Sequence, residues 1–217
     1  LAYEEDASIE QAVDDLAFIE RQLQPDATSA DSYQLQVRAD GSLRFVALRL
    51  EHQLALSDAL PLLENLGMRV LTERPYQLRL ADRRAWLQDF ELQPATQTSN
   101  KQLRRATENL IQGFHGQLTG SVERDRYNLL ITLAGLNASR LNVLRAYATY
   151  LLQIGLPFRQ RYLEEIFAEY AAVVGLALDY FDARFNPDNP RTARTVREPE
   201  RKVRAGIADA VSLAAAR

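Results

Sequence analysis

Between Leu56 and Leu80 the chain reads LSDALPLLENLGMRVLTERPYQLRL, and this run constrains the fold more than any other. Its first half has the marks of a short helix, expected over 58–66. Ser57 can cap the free amides at its start, and Asp58 suits the positive end of the helix dipole. Pro61 falls in the first turn, where a missing N–H costs least, and Leu60, Leu63 and Leu66 form the stripe to be buried. Gly67 supplies a left-handed stop. Met68 to Thr72 then begins a strand, Pro75 is expected to interrupt it, and Tyr76, Leu78 and Leu80 alternate onward. One helix therefore feeds two stretches of strand.

The flanking residues build a sheet around this unit. Ile9, Val13, Leu16, Ile19 and Leu23 recur at helical spacing, with Asp14-Asp15 on what reads as a solvated face. A polar linker follows from Pro25 to Asp31. Tyr33, Leu35 and Val37 alternate with polar residues up to Asp40-Gly41, a type I′ hairpin signal. The return strand, Leu43 to Leu50, is apolar on both faces and belongs in the centre of a sheet. A turn at Ala81–Arg84 leads into a strand in which Trp86, Phe90 and Leu92 share one face with Gln88, while Asp89 and Glu91 take the other. Together with a helix over 101–118, these are the first five elements of a βαββαβ sandwich. The closing strand has no candidate, so the hairpin strand 33–38 is expected to take an edge.

After Pro94 every periodic segment is helical. Leu103, Leu110, Ile111, Phe114 and Leu118 mark one helix; Tyr127, Leu130, Ile131 and Ala134 a shorter one; Leu141, Leu144, Tyr147, Ala148, Leu151 and Leu152 a third. Tyr162 through Phe181 predicts a single long helix, broken by Asn186-Pro187-Asp188-Asn189-Pro190. A final polar helix around 198–214 has a thin stripe of Val203, Ile207, Val211 and Ala214 and needs a neighbour. Strands segregated from helices define an α+β class: a small antiparallel ferredoxin-like sheet with helices, then an all-α segment. The expected domains are 1–95, with a leading helix and hairpin, and 96–217.

Composition removes several function classes. A net charge of −3 leaves no basic footprint for nucleic acid. The absence of cysteine excludes disulfides and thiolate metal sites and fits a reducing, cytoplasmic setting. No apolar run approaches the roughly 20 residues that span a bilayer. A helical pattern already under way at Leu1, and Met68 as the single methionine, point to a piece of a longer polypeptide.

Several stretches together resemble the large bacterial NAD-dependent glutamate dehydrogenases. They are LSDALPLLENLGMRV at 56–70, ERPY at 73–76, WLQDFEL at 86–92, DRYNLL at 125–130 with AGL at 134–136, LRAYATYLLQIGLPF at 144–158 and FDARFNP at 181–187. The strand ending LRLEH and Leu129 after Asn128 depart from that family's pattern. The resemblance implies that the first part is the last ACT-type (amino-acid-sensing) module of such an enzyme. The second part would be helical segments upstream of the catalytic domain. It further implies NAD as cofactor of the whole enzyme, with none in this piece. The catalytic domain of the same polypeptide and other copies of the chain would be its partners, in a homo-oligomer without nucleic acid or membrane.

The residues themselves offer no catalytic set. Gly113, Gly116 and Gly120 lie in or at the end of an amphipathic helix, not after a strand, and so cannot form a dinucleotide cradle. Lys101 and Lys202 sit in polar helix starts. His52 and His115 lack metal-ligand spacing, and adjacent Glu164-Glu165 point in different directions. The tyrosines at 147, 150, 162, 170 and 180 read as core and interface packing. What remains is the junction of first ACT strand and first helix, where such modules bind amino acids. Its polar residues are Gln53, Ser57 and Asp58, and free helix amides there can receive a carboxylate. The alternative is that Ser57 and Asp58 only cap the helix. At the level of function, the competing readings are a passive assembly spacer and a free-standing helical interaction module.

Overall fold

The sheet forms because β-branched, aromatic and leucine positions recur in four segments that pair side by side. The computed structural model describes residues 2–22, 31–80, 83–188 and 193–215. A short helix, α1 (Ala2–Asp6), and a longer one, α2 (Ile9–Gln22), precede β1 (Asp31–Val37) and β2 (Leu43–Leu50). Then come α3 (Leu56–Asn65), β3 (Met68–Leu80) and β4 (Arg83–Pro94). The strand order is β1-β2-β4-β3, antiparallel throughout. α3 thus crosses from β2 to β3 with β4 inserted between them, a split βαβ. β2 is central and β1 takes an edge, as its pattern predicts. The expected linker before β1 lies outside the described residues except for Asp31, and so do Ala81 and Asp82 of the turn before β4.

Pro75 does not interrupt β3. It pairs opposite Gln88 within one continuous strand. The reason is position: β3 is the other edge, where a missing N–H deprives no neighbouring strand. The irregularity lies earlier, as a register shift between Val70 and Thr72 that leaves Leu71 exposed.

Each sheet face has its own cover. Phe18 and Ile19 of α2 pack on Val46, Leu48, Tyr76, Ala85 and Leu87, joined by Tyr3 of α1, whose ring meets Tyr76 edge-on at 4.9 Å. On the opposite face, Phe45 and Phe90 pair with centroids 6.1 Å apart, and α3 buries Ala59, Leu62 and Leu63. The sequence misleads about α2. Ile9, Val13 and Leu16 are exposed, whereas Asp15 is 1% exposed. Asp15 turns inward because Arg44, itself buried, receives it: Nη1 donates to Oδ1 and Nη2 to Oδ2. Arg44 Nε donates to Asp89, to which Gln11 Nε2 also donates, and the Tyr3 hydroxyl donates to Asp15. Asp14 stays outside, as expected, and Asp89 is held against α2 by Gln11.

The chain divides into two compact units, Leu1–Thr107 and Glu108–Arg217, with α4 (Asn100–Thr119) running through the division. In the first unit the start of α4 is fastened to the β1–β2 hairpin: Asn100 Nδ2 donates to the Ala39 carbonyl and Arg104 Nη2 to that of Val37.

The second unit is helical. A 3₁₀ turn (Arg126–Asn128) leads into α5 (Leu129–Ala134), followed by α6 (Ala138–Gln153), α7 (Gln160–Glu169), α8 (Ala171–Phe185) and α9 (Ala193–Ala215). Its core gathers Leu130, Ile131, Leu136, Leu141, Leu144, Leu163, Val174 and Leu178. The predicted long helix is two, because Tyr170 leaves helical geometry at φ −106°, ψ 36°. The break lets α7 and α8 both pack on α5, so tertiary packing overrides an unbroken local period. α9 packs on α8, as its thin stripe requires, but through a different face. Gly206 faces Val173 and Leu176, while Ile207 and Val211 are exposed. A Cβ at Gly206 would stand 3.3 Å from Leu176 Cδ1, so a larger side chain there would crowd α8. Of the segment expected to break the chain after Phe185, Asn189 and Pro190 lie outside the described residues.

Candidate functional site

The junction of β2 and α3 is held by one buried glutamine. Gln88, fully buried on β4, accepts from the Leu54 amide at 2.8 Å and donates to the Leu54 carbonyl at 2.9 Å. It also donates to Glu73. Leu54, 1% exposed, is thereby anchored while its neighbours face solvent. Glu51 adopts φ 64° as the chain leaves the sheet, and its amide bonds the Arg84 carbonyl. The left-handed turn reverses the chain just ahead of the helix.

Gln53, Ser57 and Asp58 are each exposed in this stretch between β2 and the first turn of α3. Ser57 is not the cap. α3 begins two residues earlier than its sequence predicts, with Ala55 at the N-cap in extended geometry and no side-chain cap hydrogen bond. Ala55 takes that place because its backbone carbonyl receives the amides of Asp58 and Ala59, both at 3.0 Å. The first turn therefore presents amides that no side chain of the cap satisfies. Pro61 now sits deeper than the first turn, and lacking an N–H it cannot bond the Ser57 carbonyl four residues back. Backbone donors thus share this corner with the Asp58 carboxylate.

A second polar constellation lies in the helical unit, and sequence inspection misses it. Arg145 of α6 is buried, and its Nε and Nη2 donate to the two carboxylate oxygens of Asp125 at 2.7 and 2.9 Å. Nη2 also donates to Asn128, and Nη1 to Asn142. Asp125 in turn accepts from the Tyr127 amide, capping the 3₁₀ turn. DRYN and LRAY, two of the stretches that carry the family resemblance, thus meet through one ion pair. The signal available was their chemistry: an Asp and an Asn three apart, followed by a lone Arg in an otherwise apolar helix face. A cavity of about 100 Å³ opens beside the pair, walled by Glu123, Asp125, Tyr127, Arg145, Thr149 and Gln160. Burial, then the charges of Glu164 and Asp125, push the Tyr127 phenol up to about 12 despite Arg145.

The other chemistry-bearing residues fall apart from these. His52 lies in the exposed loop after β2 and His115 within α4. Among the described residues no cluster of three His, Cys, Asp or Glu is placed to hold a metal ion. Gly116 is a packing residue: a Cβ there would stand 2.4 Å from Val122 Cγ2. Tyr147, Tyr170 and Tyr180 line a larger, apolar cavity of about 480 Å³ bounded by α6, α7 and α8, and Tyr147 meets Phe181 edge-on at 5.9 Å. No described helix is long and apolar enough to cross a membrane.

A split βαβ sheet with an open strand-to-helix corner, joined to a helical unit, defines an ACT-type module with an accessory helical segment. Residues 27–106 match the family model described as glutamate dehydrogenase, ACT3 domain, and residues 122–187 match glutamate dehydrogenase, helical motif 3. The chain is 34% identical over 189 residues to an NAD-specific glutamate dehydrogenase of Halomonas elongata, covering 86% of this chain and 12% of that protein. It is 32% identical over 180 residues to one of Pseudomonas aeruginosa, covering 82% and 11%, and 35% identical over 142 residues to one of Mycobacterium tuberculosis, covering 61% and 8%. The chain belongs to the NAD-specific glutamate dehydrogenase family, and it spans about an eighth of the length of the relatives it matches.

Proposed function

We propose that this chain is a regulatory and scaffolding segment of an NAD-dependent glutamate dehydrogenase. The whole enzyme would convert L-glutamate, NAD and water to 2-oxoglutarate, ammonia and NADH. One observation carries this reading: an ACT3 domain and a helical motif 3 follow one another in a chain that spans a small fraction of its NAD-specific relatives. Nicotinamide chemistry then belongs to another part of the polypeptide, which holds NAD. Residues 1–95 are the sensing module, and 96–217 support the catalytic domain in a cytoplasmic homo-oligomer.

At the β2–α3 corner the uncapped first-turn amides suit an amino acid's carboxylate, and the Asp58 carboxylate suits its ammonium group. Gln53 and Ser57 add neutral polar contacts to an effector held there. Two measurements test the proposal. The isolated chain is expected to show no glutamate-dependent reduction of NAD; turnover by this piece would overturn the assignment. Calorimetric titration with a panel of amino acids is expected to give a saturable signal that Ser57→Ala and Asp58→Ala diminish. A flat titration would favour passive assembly at this corner.

A further inference from the structure

We infer that one copy of this chain docks on another through two exposed helix faces, the outer face of α2 on the first copy and that of α9 on the second. The inference rests on the homo-oligomer proposed above and gives it a specific contact.

Each of the two helices buries only one side. α2 lays Phe18 and Ile19 on the sheet and turns Asp15 to Arg44, which leaves Ile9, Val13 and Leu16 facing solvent at 85%, 60% and 59% exposure. These three follow the i, i+4, i+7 spacing by which a helix anchors on an apolar partner. α9 turns Gly206 toward α8 and leaves Ile207 and Val211 outside, 48% and 63% exposed. Both stripes are open in a single chain, and another copy brings the matching half of each.

Charge selects the partner and its direction. Glu10, Asp14 and Glu20 stand exposed along α2, opposed there by Arg21. Beside the stripe of α9 stand Arg197, Arg201 and Arg204, all exposed. Arg204 bridges Glu200 at 2.9 Å within its own helix, a surface pair of the kind that holds weakly and yields to a better partner. Glu20 lies about two turns beyond Val13 on one line of α2, and Arg204 about two turns before Val211 on one line of α9. Each face therefore has an apolar end and a charged end. Antiparallel packing sets Ile9 and Val13 against Val211 and Ile207, and Asp14 and Glu20 against Arg204 and Arg201. Parallel packing would instead put Ile9 on the charged end of α9. Ion pairs beside an apolar seam fix partner and orientation in just this way.

Sedimentation equilibrium of the 217-residue chain at low salt tests the contact. Reversible association is expected, with a Kd on the order of 10–100 µM for so small an interface, weakening as salt is raised. Two charge variants are made in separate chains: Asp14→Lys with Glu20→Lys, and Arg201→Glu with Arg204→Glu. Each alone is expected to associate about tenfold more weakly or worse, with circular dichroism and thermal midpoint as in the parent. Mixed in equal amounts, the two are expected to associate again, because the new lysines of one meet the new glutamates of the other. A chain that stays monomeric at all concentrations would overturn the inference. If the parent associates but neither variant changes its Kd, the homo-oligomer stands and this contact falls. If both variants weaken association and the mixture does not recover, the charges do not face one another across copies, and the inference falls as well.

Discussion

Arg44 and Asp15 face one another in a two-point bridge beneath α2, Nη1 to Oδ1 at 2.8 Å and Nη2 to Oδ2 at 2.7 Å. The pair joins the first long helix to the central strand, and Asp89 adds a third member through Arg44 Nε at 2.8 Å. Burial works against the guanidinium's charge, yet the bonds and charges of Asp15 and Asp89 hold its pKa above the ordinary arginine range. For Asp89 burial wins over Arg44, and its carboxyl stands above the usual range. Removing one partner from such a set strands the others without water. Asp15→Ala is therefore expected to cost about 3–5 kcal/mol in urea denaturation. Asp14→Ala, on the exposed side of the same helix, is expected to stay within about 0.5 kcal/mol. Equal effects of the two would show that α2 does not dock through this bridge.

That pair also explains what the sequence conceals. The central place of Leu43–Leu50 and the edge place of the hairpin strand were legible, because a strand apolar on both faces needs cover on both and an alternating one does not. The orientation of α2 was not legible. Ile9, Val13 and Leu16 form the more apolar stripe, but the partner for the other side, Arg44, lies in a distant strand, and periodicity carries no information about it. Tyr170 is a similar case: no proline or glycine marks the break, which exists because two helices must both reach α5. At the β2–α3 corner the cap at Ala55 was hidden because it uses backbone alone. The Arg145–Asp125 pair shows the same limit, since its halves lie 20 residues apart.

Alkali is expected to unfold the chain through its buried phenols. Burial raises Tyr76, which also gives its hydrogen to Asp6, to about 12, and raises Tyr127 to a similar value. Burial raises Tyr3 and Tyr33 further still, with help from Asp15 and Asp31 respectively. The ordinary value is 10.0. Between that value and 12 the unfolded chain loses phenolic protons that the folded chain keeps, so stability falls as pH rises. The stabilisation is fully present below pH 10 and disappears through the folded values. Absorbance of phenolate near alkaline pH should show an early group and a late group of tyrosines. The late group should appear together with loss of helical circular dichroism. A single early phase would contradict the burial of these four rings.

Gly116 is expected to tolerate no side chain. The chain reverses after α4 so that the Val122 amide bonds the Gly116 carbonyl at 3.0 Å, bringing Val122 Cγ2 to 2.4 Å from where a Cβ would stand. Gly116→Ala should gain a little helix propensity and lose more to overpacking, a net cost of about 1–3 kcal/mol. Adding Val122→Ala should recover part of that loss, a non-additivity that a double-mutant cycle of thermal midpoints would resolve. Simple additivity would mean that the two residues do not touch.

Pro75 makes the last case, because its worth lies outside the monomer. It stands exposed on β3, opposite Gln88, within an edge strand that no other described strand covers. An open edge carries unpaired backbone groups that invite another strand, and proline removes one donor from that row. Pro75→Val would suit an extended residue at this position and leave the pairing to β4 intact, so the monomer's stability should change by no more than about 0.5 kcal/mol. The restored N–H and the flatter apolar edge should instead promote self-association, seen in sedimentation velocity as a growing dimer or larger species with concentration. Pro75→Lys restores the same N–H but adds a charge that repels a second edge, and it should remain closer to the parent. If Pro75→Val destabilised the fold without associating, the proline would be serving the strand's internal geometry. If both variants associated alike, the N–H alone would be decisive.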